Sequence, residues 1–252
     1  MKKGFSLLIF SFLFFGCSNG KSLEFITAKI DKSSNIPQDE WQTKVQIELP
    51  QAISQDLVAD SINVALYAFA EDVINLEEKN INTTTFEGLA DSFINSYLEL
   101  KKEFPKEIAW EAKINGLIVF QSSEIINIRL EYYMFTGGAH GYYGVKSLIF
   151  DAQSGKKLSN KDIFAEYDRF TSYVEGKFRT KFNLSPNQNI NANGFMFEDD
   201  KFVLPENIFF TKNGVLLVYN IYEIAAYSEG NQELLLTYDE VKPFLRIDID
   251  NQ

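Results

Sequence analysis

The segment Tyr132–Gly144, read Y-Y-M-F-T-G-G-A-H-G-Y-Y-G, limits the fold more than any other. Ile126, Ile128, Leu130, Tyr132 and Met134 alternate with less apolar neighbours, which is the period of a strand with one buried face. The run enters a cluster of glycines around the chain's one histidine and leaves through two tyrosines into a second β-rich run, Val145–Phe150. Glycine permits backbone paths closed to other residues, so Gly137, Gly138, Gly141 and Gly144 are expected to form a tight turn between two strands.

Outside this segment the period changes along the chain. Trp41, Thr43, Val45, Ile47 and Leu49 alternate as a half-buried strand that Pro50 is expected to end. From Gln55 the spacing turns helical, with Val58, Ile62, Ala65, Phe69, Val73 and Leu76 on one stripe. Thr84 and Glu87 have capping-box spacing for a second helix, with Phe86, Leu89, Ala90, Phe93, Tyr97, Leu100 and Phe104 on its apolar side and Pro105 at its end. Ile108, Trp110, Ala112 and Ile114 predict another strand, interrupted at Asn115-Gly116 by a hairpin turn or a bulge. Gly155 is placed for a positive φ, and Ser159 with Asp162 starts a short helical turn. A helix is predicted over Tyr167–Phe182, a polar Asn-rich loop over Leu184–Asp200, and a hairpin through Lys212-Asn213-Gly214. A strand over Gln232–Tyr238 and a closing helical turn follow. Helix pairs followed by antiparallel strands predict an α+β fold, with antiparallel sheets packed on a few amphipathic helices.

The N-terminus reads as an export signal. Lys2 and Lys3 precede an apolar run, Phe5–Phe15, too short to span a bilayer, and Gly16-Cys17 follows. Cys17 is the only cysteine and stands where a bacterial lipoprotein carries its lipid, although Phe15 is bulkier than the residue usual in a lipobox. Residues 1–16 are therefore expected to be a signal peptide and 17–40 a flexible tether, with Cys17 anchoring the chain to a membrane on the periplasmic side of the envelope. An ordinary secretory signal with an incidental cysteine is the other reading. No later segment is apolar enough to cross a membrane. Losing residues 1–16 removes two lysines and no acid, so the formal charge moves from −11 to −13. Such an acidic chain is not expected to bind nucleic acid, which requires a basic surface, and suits a cationic partner better.

His140 could act as a general base or metal ligand. Zinc would need carboxylates for every other ligand, so no metal is expected, and a hydrogen bond across the glycine turn is the plainer role. Phe135, Tyr142 and Tyr143 would form a contact patch where exposed and core where buried. Glu223, Glu229 and Asp239 lie near the C-terminal aromatic stretch, but sequence spacing alone does not make a catalytic carboxylate pair of them. No phosphate-cradling glycine loop occurs, no catalytic residue is nominated, and no cofactor is expected.

The motifs Tyr133–Gly141, Phe150-Asp151 with Ser154-Gly155-Lys156, Asp162-Ile163-Phe164, Asn207–Thr211 with Asn213-Gly214, and Asn220–Tyr227 with Gly230 resemble the C-terminal domain of the RsiV family. The region 41–130 resembles the accessory domain that precedes the catalytic domain in PdaC-type peptidoglycan deacetylases. The resemblance implies two α+β units, 41–130 and 131–252, in an exported protein, with one sheet shared by the strands of both as the alternative. It also implies a lysozyme-binding role, since the best-understood relative is a membrane-anchored anti-sigma factor that senses lysozyme. Ile221 and Ala226 replace prolines common in that family. The reading is a non-enzymatic envelope lipoprotein whose partner is a lysozyme-like protein or peptidoglycan, contacted through Phe135, His140, Tyr142 and Tyr143. A wall-glycan-modifying enzyme and a structural or regulatory envelope protein are the alternatives.

Overall fold

The computed structural model describes residues 23–37, 41–75 and 83–249. The expected signal peptide, Cys17 and Leu76 lie outside the described residues.

Five strands form one sheet in sequential order: β1 (Phe25–Ser33), β2 (Lys44–Ala52), β3 (Glu111–Gln121), β4 (Ile125–Phe135) and β5 (Tyr142–Asp151). All neighbours are antiparallel except β2 and β3, which run parallel. A parallel pair needs a long crossover, and two helices supply it: α1 (Leu57–Ile74) and α2 (Phe86–Glu103). Two further helices, α3 (Asn160–Ile163) and α4 (Tyr167–Lys181), precede a second, antiparallel sheet of β6 (Asn207–Thr211), β7 (Gly214–Tyr219) and β8 (Gln232–Leu236), and α5 (Tyr238–Val241) closes the chain. The class is α+β.

Several expectations are corrected. The tether predicted over 17–40 contains β1, whose Phe25–Ser33 pairs with Ala52–Lys44 along its whole length. Polar residues there mislead because β1 is an edge strand, half open to water. Pro50 does not end β2. The pairing of β2 with β3 stops at Glu48, so the missing N–H of Pro50 breaks no bond on that side. Asn115-Gly116 is neither turn nor bulge: β3 runs through it, and the register shifts between Ile118 and Phe120 instead. A Cβ on Gly116 would lie 2.8 Å from Leu49 and Pro50 atoms, so close packing rather than a turn explains that glycine. The cap of α2 is Thr85, accepting from the Gly88 N–H, one residue past the predicted Thr84. The boundary expected between 130 and 131 falls inside β4, within one continuous sheet.

Each face of the large sheet has its own core. One face buries Val45, Ile47, Ala112, Ile128, Leu130 and Leu148 against Ile62 and Leu66 of α1 and Phe93 and Tyr97 of α2. The deepest line on α1 is Ala59, Ile62, Leu66, Ala70 and Ile74, rotated from the predicted stripe, whose Val58, Ala65, Phe69 and Val73 are only partly buried. The other face meets the small sheet, where Val145, Phe209 and Val218 pack together. The far side of the small sheet, with Ile208, Phe210, Leu217 and Tyr219, packs on Phe170, Val174 and Phe178 of α4. The molecule is thus layered as helix pair, large sheet, small sheet and α4.

Three asparagines join the sheets. Asn127 is fully buried in β4, donates through Nδ2 to Ser147 Oγ (2.9 Å) and the Leu148 carbonyl (3.1 Å), and accepts from the Phe210 N–H (2.8 Å). Asn207 accepts from the Ser147 N–H, and Asn220 both accepts from the Val145 N–H and donates to the Val145 carbonyl. Strand β5 is the sheet's last strand, so side-chain amides here stand in for a missing sixth strand.

The chain end is fixed by Glu240, which caps Thr237 and pairs with Lys177 of α4. The Lys177 ammonium, then the Thr237 N–H, hold the Glu240 carboxyl down at about 2. A depressed carboxyl stabilises the fold above the ordinary glutamate range and loses that contribution as pH falls to about 2. The pair is partly open to water, so Glu240→Gln is expected to cost about 1 kcal/mol or less at pH 7 and nothing near pH 2. Urea midpoints at the two pH values check this; an equal loss at both would assign the effect to the cap alone.

Candidate binding site

The strands β4 and β5 cross the sheet and meet at the glycine turn. Gly137 and Gly138 adopt φ of +108° and +86°, which a side chain would strain. Gly141 and Gly144 serve differently. A Cβ at either would fall 2.5 Å from a tyrosine ring, Tyr133 over Gly141 and Tyr132 over Gly144. Gly144 lies within β5 opposite Tyr132, so its expected turn-forming role is corrected: it is the flat position on which that ring rests.

His140 is exposed at the tip. Its Nδ1 lies 2.9 Å from the Gly141 carbonyl oxygen. A carbonyl only accepts, so a proton sits on Nδ1. The imidazole stacks on Tyr227 at 4.3 Å between centroids and 26° between planes, and Tyr222 tilts against Tyr227 at 5.5 Å. Among the described residues no group of three or more His, Cys, Asp or Glu could hold a metal ion.

Two concavities flank this turn. The larger, about 1000 Å³, is a groove lined by Phe135, His140 and Tyr227 together with Trp41, Lys44 and the Glu107–Glu111 stretch. Trp41 is 74% exposed there. Trp110 also lines it, 7% exposed and tilted against Phe93 and Tyr97, and its buried indole Nε1 has no hydrogen-bond partner among the described residues. The second concavity, about 520 Å³, lies between α1 and the end of the β4–β5 pair. Tyr142 belongs to this one, beside Tyr132 at 5.9 Å. Burial, reinforced by Tyr142, pushes the Tyr132 hydroxyl well above the usual phenol range. Glu223 also lines it; its carboxyl accepts from the Asn220 N–H, and partial desolvation raises its pKa.

The four predicted contact residues therefore part company. Phe135 and His140 share the groove, Tyr142 faces the other concavity, and Tyr143 packs partly buried beside Val145, Phe209 and Val218 between the sheets. Strand alternation decides this, since adjacent tyrosines point to opposite faces. Reasoning from sequence missed Trp41, read as a strand residue facing the core, and Tyr227, which reaches the groove from a loop far along the chain. Glu229 and Asp239 line neither concavity.

The profile of a family described as "Deacetylase PdaC" matches residues 36–143, and that of a family described as "Protein of unknown function (DUF3298)" matches residues 161–239. The first match runs past the boundary expected at 130 and takes in the whole glycine turn. No curated protein matches the chain. A crystal structure of a DUF3298 family member from Bacteroides fragilis is 18% identical, with a TM-score of 0.69, covering 89% of this chain and 94% of that one. A DUF3298 family protein from Pseudomonas aeruginosa is 19% identical, with a TM-score of 0.65 and the same coverage. At such identity the likeness establishes a common fold for nearly the whole chain.

Proposed function

We propose that this chain is a non-enzymatic lipoprotein of the bacterial cell envelope, anchored through Cys17, that binds a wall-active protein of the lysozyme kind or peptidoglycan. The observation that carries the reading is the aromatic groove beside the glycine turn. Trp41, Phe135, His140 and Tyr227 offer stacking and apolar contact from rigid rings at little cost in conformational entropy, which suits sugar rings and protein loops alike. Support also comes from the PdaC and DUF3298 matches, side by side in one chain, and from the motif likeness to the RsiV C-terminal domain. The acidic balance, formal charge −11, complements a basic partner such as lysozyme.

Calorimetric titration of the purified protein with lysozyme and with soluble wall fragments, each at two salt concentrations, tests the reading. Saturable binding to at least one of them is expected, weakened by salt but retained, because exposed charge is screened while ring contacts are not. The Trp41→Ala variant should bind roughly tenfold or more weakly, as an exposed aromatic anchor does when truncated. Affinity no greater than for an unrelated basic protein would end the proposal.

A further inference from the structure

The smaller concavity has a chemistry that the groove does not. Its walls are aromatic and apolar: Phe69 from α1 meets Tyr132 edge-on at 5.6 Å, and Tyr142 adjoins Tyr132 from the neighbouring strand. Its charged lining is unbalanced. Asp72, Glu206 and Glu223 face a single cation, Lys146, and Lys146 is already paired with Glu206 at 2.7 Å. Among the described residues Asp72 and Glu223 have no ion-pair partner. The volume, about 520 Å³, is in the range of small-molecule sites.

We propose that this cavity is a receptor for an alkylammonium group, the end of a lysine side chain or of a free polyamine. The class follows from what the lining can and cannot satisfy. Rings beside carboxylates attract an organic cation, through the ring quadrupole and by charge. An apolar stem can lie against Phe69, Val73 and Met134 while its ammonium reaches Asp72 or Glu223. A metal ion is a poorer match, since these carboxylates do not converge into a ligand set. Glu223 is exposed to solvent, and its carboxyl is raised first by partial desolvation and further by the like charge of Glu206, against the opposing pull of the Asn220 N–H and Lys146. An incoming ammonium offsets that unfavourable field.

The position of Glu223 is built into the backbone. Tyr222 holds a φ of +66°, a left-handed conformation unusual for a bulky residue. That turn aims Tyr222 at Tyr227 and the groove while its neighbour Glu223 lines the cavity, and Asn220 ties the turn to β5. One strained turn thus serves both concavities. The cavity proposal stands on its own lining and not on the proposed function of the groove.

The test is titration of the purified protein with cadaverine and, separately, with a lysine-containing tripeptide, followed by tyrosine fluorescence and calorimetry. With both peptide termini blocked, the Nε-acetylated tripeptide is the control without a cation. Saturable binding of an amine is expected, absent for the acetylated control and weakened roughly tenfold or more by Asp72→Asn with Glu223→Gln. Tyr142→Leu, at an exposed position, provides a second variant with the same expected loss should the double variant melt early. Tighter binding of the tripeptide would assign the cavity to a partner's lysine, and tighter binding of cadaverine to a free polyamine. Equal binding of the acetylated control, or amine binding unchanged in both variants, would overturn the proposal. Trp41→Ala should leave amine binding intact, so failure at the groove and failure at the cavity are read separately.

Discussion

Asn127→Leu is expected to destabilise the protein by about 1–3 kcal/mol, although leucine is nearly the same size and the site is wholly buried. The loss comes from hydrogen bonds. Asn127 satisfies the Phe210 N–H of the small sheet, which leucine cannot, whereas the Leu148 carbonyl keeps its ladder position opposite Ile128 and loses only a second bond. Each buried backbone group left without a partner costs about 1–3 kcal/mol. Ser147 loses its bond from Asn127 as well, but its hydroxyl still donates to the Ile208 carbonyl, so that group is not orphaned. For a chain of this size the change corresponds to a fall in melting temperature of roughly 2–12 °C. Thermal and urea unfolding followed by circular dichroism measure it. A change under about 1 kcal/mol would mean that Asn207 and Asn220 hold the two sheets together unaided.

The same residue shows what sequence could and could not reveal. The alternation Ile126, Ile128, Leu130 assigns β4 and one of its faces, and hydrophobic period alone reaches that far. Asn127, on the opposite face, reads as solvent-facing because nothing local shows that a second sheet will cover it. Both faces of the first half of β4 are buried here, which alternation underestimates. Secondary structure near strong punctuation was legible: the Ser159–Asp162 capping box, the positive φ of Gly155 and the hairpin at Gly214 all arise from local chemistry. The errors lie where tertiary contact overrode it, at Pro50, Gly116 and the polar edge strand β1. The binding site divides in the same way. The glycine turn and its histidine announced themselves by composition, whereas the groove depends on Trp41, Trp110 and Tyr227, which sequence separates widely. Only the parallel crossover and the 220–227 turn bring them to one place.

Phe178→Ala is expected to have a comparable or larger effect, about 3–5 kcal/mol, as full truncation of a buried phenylalanine does. Phe178 is 1% exposed on α4 and has rings of Phe182, Phe195, Phe197, Phe202 and Tyr219 within 4.5–6.1 Å of its own. Two of these rings come from Leu184–Asp200, which reads as a polar loop and carries little regular structure, and Phe202 follows just after it. Its order depends on Phe178 within it and on asparagine bonds around it, such as Asn191 to the backbone of Phe197. Removing the ring therefore loosens that segment beyond the loss of stability overall. The effect should travel further, because the Met196 N–H donates to the Ile224 carbonyl and the Tyr219 hydroxyl to the Val203 carbonyl. Both bonds brace the turn that carries Glu223 and Tyr227, one for each concavity. Hydrogen exchange should accordingly rise in 184–202 and 220–227 more than in β2–β4, while Phe178→Leu, which keeps most of the volume, should cost about 1.5 kcal/mol or less. Uniform acceleration across the chain would show that α4 stabilises the whole fold without specifically supporting the binding turn.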